Sequence, residues 1–162
     1  MSQNKRIGLA MGIVLVIVLV VTAVDTWRRN SMAAELNITP GSIPIYYGGN
    51  LIGGVVIAEL ESLPTVSFVD AEKGKTQEGW LLQDVFLLYL PTKELSPESQ
   101  ITVSSSSRGK TAVLTWAEVQ NPDNNVLFDL SGAGTLKLVS TLENLDTRDE
   151  WVQDTDKIEI EP

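Results

Sequence analysis

The sequence predicts an α+β domain whose mixed, largely antiparallel strands carry short helices, with one transmembrane helix in front. Three observations predict it. An uncharged apolar run of eighteen residues, Ile7–Val24, stands near the start. Beyond it, short alternating or β-branched segments are punctuated by Gly, Pro, Asn and Ser turns, the pattern of strands. Two or three stretches with helical spacing lie among them, too few for a regular strand–helix alternation.

The elements follow in chain order. As a helix, Ile7–Val24 spans about 27 Å, enough to cross a bilayer core. Trp27 suits the interface behind it, being apolar in its ring and polar at its N–H. A cleaved signal peptide is the rival reading, with small residues at Val21-Thr22-Ala23 and Ser31-Met32-Ala33. Retention is favoured because the apolar core exceeds the roughly 7–15 residues of a signal peptide. Lys5 and Arg6 hold the amino end in the cytoplasm against Arg28 and Arg29, so residues 30–162 are expected outside it. The organisation read from this is a cytoplasmic end (1–6), an anchor (7–24), a tether (25–35) and a globular domain (36–162).

Within the domain, strand-like pieces over Leu36–Tyr47 are broken by Pro40-Gly41-Ser42 and Pro44, and Gly48-Gly49-Asn50 is a turn. Val55–Leu63 has helical spacing and Pro64 ends it. Thr65–Val69 alternates as a half-buried strand, Asp70–Glu78 is a charged loop, and Trp80–Leu90 reads as a buried helix. Ile101–Val103 and Thr111–Leu114 are strands joined by a turn at Arg108-Gly109-Lys110. Thr115-Trp116-Ala117-Glu118 fits a capping box for a brief helix that ends near Asn121-Pro122. Val126–Leu130 and Leu136–Val139 are strands around Ser131-Gly132-Ala133-Gly134, and Trp151-Val152 and Ile158–Ile160 close the chain. The expected core is Trp80, Leu82, Val85, Phe86, Val113, Leu114, Leu127, Leu138 and Val152.

Composition excludes several chemistries. From residue 30 onward the chain has 20 Asp and Glu against 8 Lys and Arg, a net charge of −12. Such a surface repels nucleic acid and anionic lipid heads, so no nucleic-acid partner is expected. The chain has no Cys and no His. Disulfides and thiolate metal sites are thereby excluded, and the commonest general base is missing.

The remaining patterns have plain readings. Gly48-Gly49 and Gly53-Gly54 match neither a P-loop nor a dinucleotide fingerprint and read as turn geometry. Ser104–Ser107 with Lys110 suggests a serine–lysine pair only if the lysine is desolvated, and a solvated strand edge is favoured. Asp146, Asp149, Glu150, Asp154 and Asp156 lack the spacing of a calcium loop and read as a solvated face. Trp80, Trp116 and Trp151 read as packing residues. Asn37-Ile38-Thr39 is a glycosylation sequon of little weight, since Pro40 follows it. Gly8 and Gly12 form one small-residue pair in the anchor, a weak homodimer signal.

A set of pieces in order across the domain carries a family resemblance. They are Val56-Ile57-Ala58-Glu59-Leu60 with Leu63-Pro64, then Glu78-Gly79-Trp80-Leu81-Leu82-Gln83-Asp84-Val85. Leu114-Thr115-Trp116-Ala117-Glu118-Val119, Gly134-Thr135-Leu136-Lys137-Leu138-Val139, Glu150-Trp151-Val152 and Lys157-Ile158-Glu159-Ile160 follow. Residues from about 36 to 161 thereby resemble the molybdopterin-binding oxidoreductase domain, the catalytic fold of sulfite oxidase, in a small form. The resemblance implies a sulfite oxidase-like fold. Active members of that family place a molybdenum-ligating cysteine just after the strand matching Thr65–Val69, where this chain reads Val69-Asp70-Ala71-Glu72-Lys73. No catalytic residue carries over, and no cofactor or metal is expected.

Two functions follow as expectations. The first is a non-catalytic membrane-anchored module that binds a protein partner or a small ligand. The second is a molybdopterin-dependent oxidoreductase with an oxygen ligand such as Asp70, Ser106 or Ser107 at the metal. The cleft implied by the resemblance lies between the Asp70–Glu78 loop and the Ser104–Lys110 turn, with Asp70, Lys73, Ser106, Arg108 and Lys110 as its candidate residues. The lipid bilayer, through residues 7–24, is the other expected partner.

Overall fold

Gly48 and Gly49 both have positive φ, 53° and 75°, and join β1 (Ile43–Tyr47) to β2 (Asn50–Val55). Two left-handed residues in a two-residue loop match the right-handed twist of the strands they join. This computed structural model describes residues 20–21, 39–90 and 95–162. The chain divides into two units, Met1–Asn37 and Ile38–Pro162, and the described fold belongs to the second. Of the expected anchor, only Val20 and Val21 are described, and they are helical and exposed. The remainder of that segment, the tether, the sequon residues Asn37 and Ile38, and Gly8 and Gly12 lie outside the described residues. Among the described residues, no helix is long and apolar enough to cross a membrane.

The domain is α+β and rich in strands. One sheet has the order β2-β1-β9-β5-β6, with β5 at Gln100–Ser105, β6 at Lys110–Thr115 and β9 at Lys157–Glu161. Its β1–β9 pair is parallel, and its other pairs are antiparallel. The second sheet is antiparallel throughout, in the order β3-β4-β7-β8. Its strands are β3 (Val66–Val69), β4 (Thr76–Leu81), β7 (Leu127–Leu130) and β8 (Leu136–Val139). Three short helices complete the fold: α1 (Ile57–Leu60), α2 (Leu82–Tyr89) and α3 (Trp116–Gln120).

Several sequence expectations need correction, each for a physical reason. Pro44 does not break a strand: it sits in β1 opposite Gly54, and the ladder to β9 begins one residue later. Its missing N–H therefore falls outside that ladder. Gly53 and Gly54 belong to β2, not to a turn. A Cβ at Gly53 would stand 3.4 Å from the Tyr89 ring, in ordinary contact with α2 where that helix lies on the strand. There the Tyr89 hydroxyl donates to Glu59 Oε2 at 2.5 Å and accepts from the Val56 N–H.

The helix expected over Val55–Leu63 is a single turn, because Val55 remains in β2 opposite Ile43. Trp80 and Leu81 belong to β4, paired with Phe128 and Leu127, and α2 starts only at Leu82. Ladder bonds to β7 outweigh the helical tendency there. The charged loop is also shorter than expected, since β4 begins at Thr76. The capping box is present in full: Thr115 Oγ1 accepts from the Glu118 N–H at 3.2 Å, and Glu118 Oε2 accepts from the Thr115 N–H at 2.7 Å.

The main core lies between the sheets and helices, with Phe86 and Trp116 at its centre, ring centroids 6.1 Å apart. Of the expected core, Val113 alone is out of place, 50% exposed. On the edge strand β6, Ala112 and Leu114 face inward, and the two-residue period turns Val113 to solvent. A second, smaller apolar cluster covers the other face of the β3-β4-β7-β8 sheet. It joins Leu127 and Val139 to Trp151, with Val66 and Phe68 beside them. The segment after β8 carries Trp151 to that face, where Val152 bridges to Leu138 and the Trp151 indole donates to the Leu145 carbonyl at 3.0 Å. This placement of Trp151 positions the site.

Candidate functional site

Residues at two-residue spacing on β3, β4, β7 and β8 put Phe68, Gln77, Asp129 and Lys137 on the Trp151 face of their sheet. A polar chain runs across that face. Asp70, 2% exposed, closes the β3–β4 turn by accepting from the Lys73 N–H at 2.6 Å. Its other oxygen accepts from Gln77 Nε2 at 2.9 Å and from Arg148 Nη2 at 3.4 Å. Gln77 Oε1 in turn accepts from Lys137 Nζ at 2.9 Å, and Lys137 pairs with Asp129 at 2.9 Å. Lys137 and Arg148 both stand over the Trp151 ring, 5.1 and 5.4 Å from its centre. At those distances the ring quadrupole attracts both cations.

Three carboxyls in and around this network, Asp70, Glu72 and Asp154, titrate low. The Lys73 N–H holds Asp70 below the usual carboxylate range against the opposing effect of burial, with Arg148 and Gln77 adding to it. The Arg148 backbone N–H does the same for Glu72. Asp154 is lowered first by the Thr135 hydroxyl and then by Arg108.

A pocket of about 180 Å³ opens beside this network, lined by Arg108, Lys110, Arg148, Asp149, Trp151 and Gln153. The β5–β6 turn delivers two of its cations. Gly109, at φ 60°, lets the turn reverse between Arg108 and Lys110. Two acids pin the turn. The Arg108 Nε–H donates to Asp154 Oδ2 at 2.6 Å, and the Ser106 N–H donates to Asp156 Oδ2 at 2.7 Å. Lys110 Nζ donates to the Asp149 carbonyl. Arg148 supplies the third cation, and its Nε is buried with no hydrogen-bond partner among the described residues.

The structure therefore splits the five sequence candidates. Arg108 and Lys110 line the pocket. Asp70 reaches it only through Arg148, and both its oxygens are already engaged. Lys73 pairs with Glu72 at the surface, 3.4 Å away, and Ser106 is exposed at the turn tip; neither lines the pocket. Of the two segments expected to bound a cleft, the Ser104–Lys110 turn lines the pocket, whereas the Asp70–Glu78 loop supplies none of its lining and touches only Arg148 there.

Sequence reasoning missed Arg148, Gln153 and the pocket role of Trp151. The available signal was Arg148 itself, a lone cation inside Asp146-Thr147-Arg148-Asp149-Glu150. Among the described residues, no group of three or more acids is placed to hold a metal ion. Asp154 and Asp156 of the expected acidic face instead fasten the β5–β6 turn. No protein-family model matches the chain, and the comparison with curated proteins found no match either.

Proposed function

We propose that residues 36–162 form a non-catalytic recognition module with a molybdopterin-oxidoreductase-like fold. Ile7–Val24 holds it at the membrane, outside the cytoplasm. One observation carries the reading: three of the domain's eight basic residues meet at one small pocket in a domain of net charge −11. Concentrated N–H donors serve binding directly. Catalysis would further require a nucleophile or base held beside them, and the chain has no Cys or His to supply the usual ones.

The alternative, a molybdopterin-dependent oxidoreductase with an oxygen ligand at the metal, has one observation in its favour. The same three cations suit the phosphate of a pterin. The metal end does not fit. Asp70 has both oxygens engaged, and Ser106 and Ser107 are exposed at the turn tip.

The test uses full-length protein isolated from its native membranes, as wild type and as the Arg108→Glu, Lys110→Glu double variant. Both side chains are largely exposed, so the fold should survive; a solvent-screened pair such as Arg108–Asp154 adds little to stability. The wild type should retain a partner or ligand that the variant, with an unchanged melting profile, has lost. Equal retention by both forms, or none by either, sinks the reading.

A further inference from the structure

We infer that the pocket is a carboxylate receptor, taking one monoanionic carboxylate on a small stem. The inference rests on the recognition reading above and names the class of ligand. Each cation at the site already has an acid or its carbonyl beside it: Asp154 on Arg108, Asp70 on Arg148, and the Asp149 carbonyl on Lys110. A doubly charged oxyanion would enter a nearly neutral surround inside an acidic domain and gain little from it. A carboxylate needs less charge and more geometry, namely two parallel N–H donors from one guanidinium.

Arg108 presents such donors, and Arg148 lines the same pocket. Arg108 commits its Nε to Asp154, which leaves its terminal nitrogens for a ligand. Arg148 holds Asp70 by one long bond of 3.4 Å, which leaves its charge to attract a ligand while its buried Nε stays closed to it. The size agrees as well. About 180 Å³ is below the roughly 300–1,000 Å³ of pockets for larger ligands, leaving room for a carboxylate and a few more atoms against Trp151.

Such a carboxylate has two sources, a free small acid or the terminus of a polypeptide, and one experiment separates them. Full-length protein in neutral detergent is titrated with acetate, propionate and benzoate. It is then titrated with a short peptide bearing a free C-terminus and with the same peptide amidated. Chloride and sulfate at equal ionic strength are the controls. Calorimetry and the NMR shift of the Trp151 indole N–H are the readouts.

Saturable binding of at least one carboxylate is expected, with the Trp151 signal moving. Arg108→Gln and Lys110→Gln should each weaken it about tenfold, the usual worth of a charge-assisted hydrogen bond. Arg108→Lys, which keeps the charge and loses the fork, should weaken it as well. Arg148→Gln should do the same, and the exposed Lys110 variant guards against a loosened Asp70 turn. Binding of the small acids assigns a free ligand, and binding that requires the free peptide terminus assigns a chain end; either supports the inference. Sulfate binding more tightly than every carboxylate, or a carboxylate response no larger than that of chloride, overturns it. The recognition reading would survive that result if the charge-reversal variant still lost its native ligand, and would fall with it otherwise.

Discussion

Asp70 ties a turn, a sheet face and a pocket together through two oxygens. Because its bonds hold the carboxyl low, it stabilises the fold at any pH above the ordinary carboxylate value of 3.8 and loses that contribution as pH falls below it. Glu72 and Asp154 act in the same direction. Asp70→Asn should lower the urea midpoint near neutral pH and flatten the fall in stability as pH drops below 3.8. An unchanged acid limb in the variant would show that its bonds do not matter to the fold. Legibility at this scale was mixed. The sequence marks Arg108 and Lys110 because they flank a glycine turn, but nothing local shows that Arg148 crosses to Asp70, 78 positions away.

Elements with local causes were the most legible. The capping box at Thr115 was read from four consecutive residues because both of its bonds join atoms three residues apart. Thr115→Ala should cost about 1 kcal/mol by chemical denaturation, within the roughly 0.5–2 kcal/mol range of lost N-caps. Elements with distant causes were misread: the start of α2 was placed too early because the β7 partners of Trp80 and Leu81 lie nearly fifty residues on. Gly79 is a second distant effect. A Cβ there would stand 2.0 Å from the Phe128 carbonyl oxygen and 2.9 Å from the Asp129 Cα, both backbone atoms of β7. Gly79→Ala should therefore destabilise by about 1–3 kcal/mol or more, as overpacking against an unyielding wall does. Leu138, fully buried, should cost about 2–5 kcal/mol when cut to Ala. Thermal and urea melts of the two variants check both figures.

At the scale of the molecule, class was legible and topology was not. Turn residues and alternation announce strands, but they carry no record that β1 lies parallel to the last strand or that two sheets form. The parallel pair makes β9 central, flanked by β1 and β5, with Ile158 and Ile160 fully buried. A chain ending at Asp156 should accordingly show no cooperative unfolding transition, whereas loss of a dispensable edge would leave one. Net charge misled in a similar way, since a sum over the domain cannot show that three cations gather at one place. For the anchor, Ile7–Val24 should keep the protein in the membrane fraction through carbonate and high-salt washing, because salt does not release buried apolar surface. A mature N-terminus at Val24 or Ala34 would contradict that.

We propose recognition, not molybdenum chemistry, for this domain because its chain has no thiolate to hold the metal. Elemental analysis of protein purified from its native host, with extraction of any bound pterin, tests it most directly. Molybdenum and tungsten are expected far below one atom per chain, with no extractable pterin. Either metal at one atom per chain, accompanied by pterin, would contradict it and make the domain an enzyme.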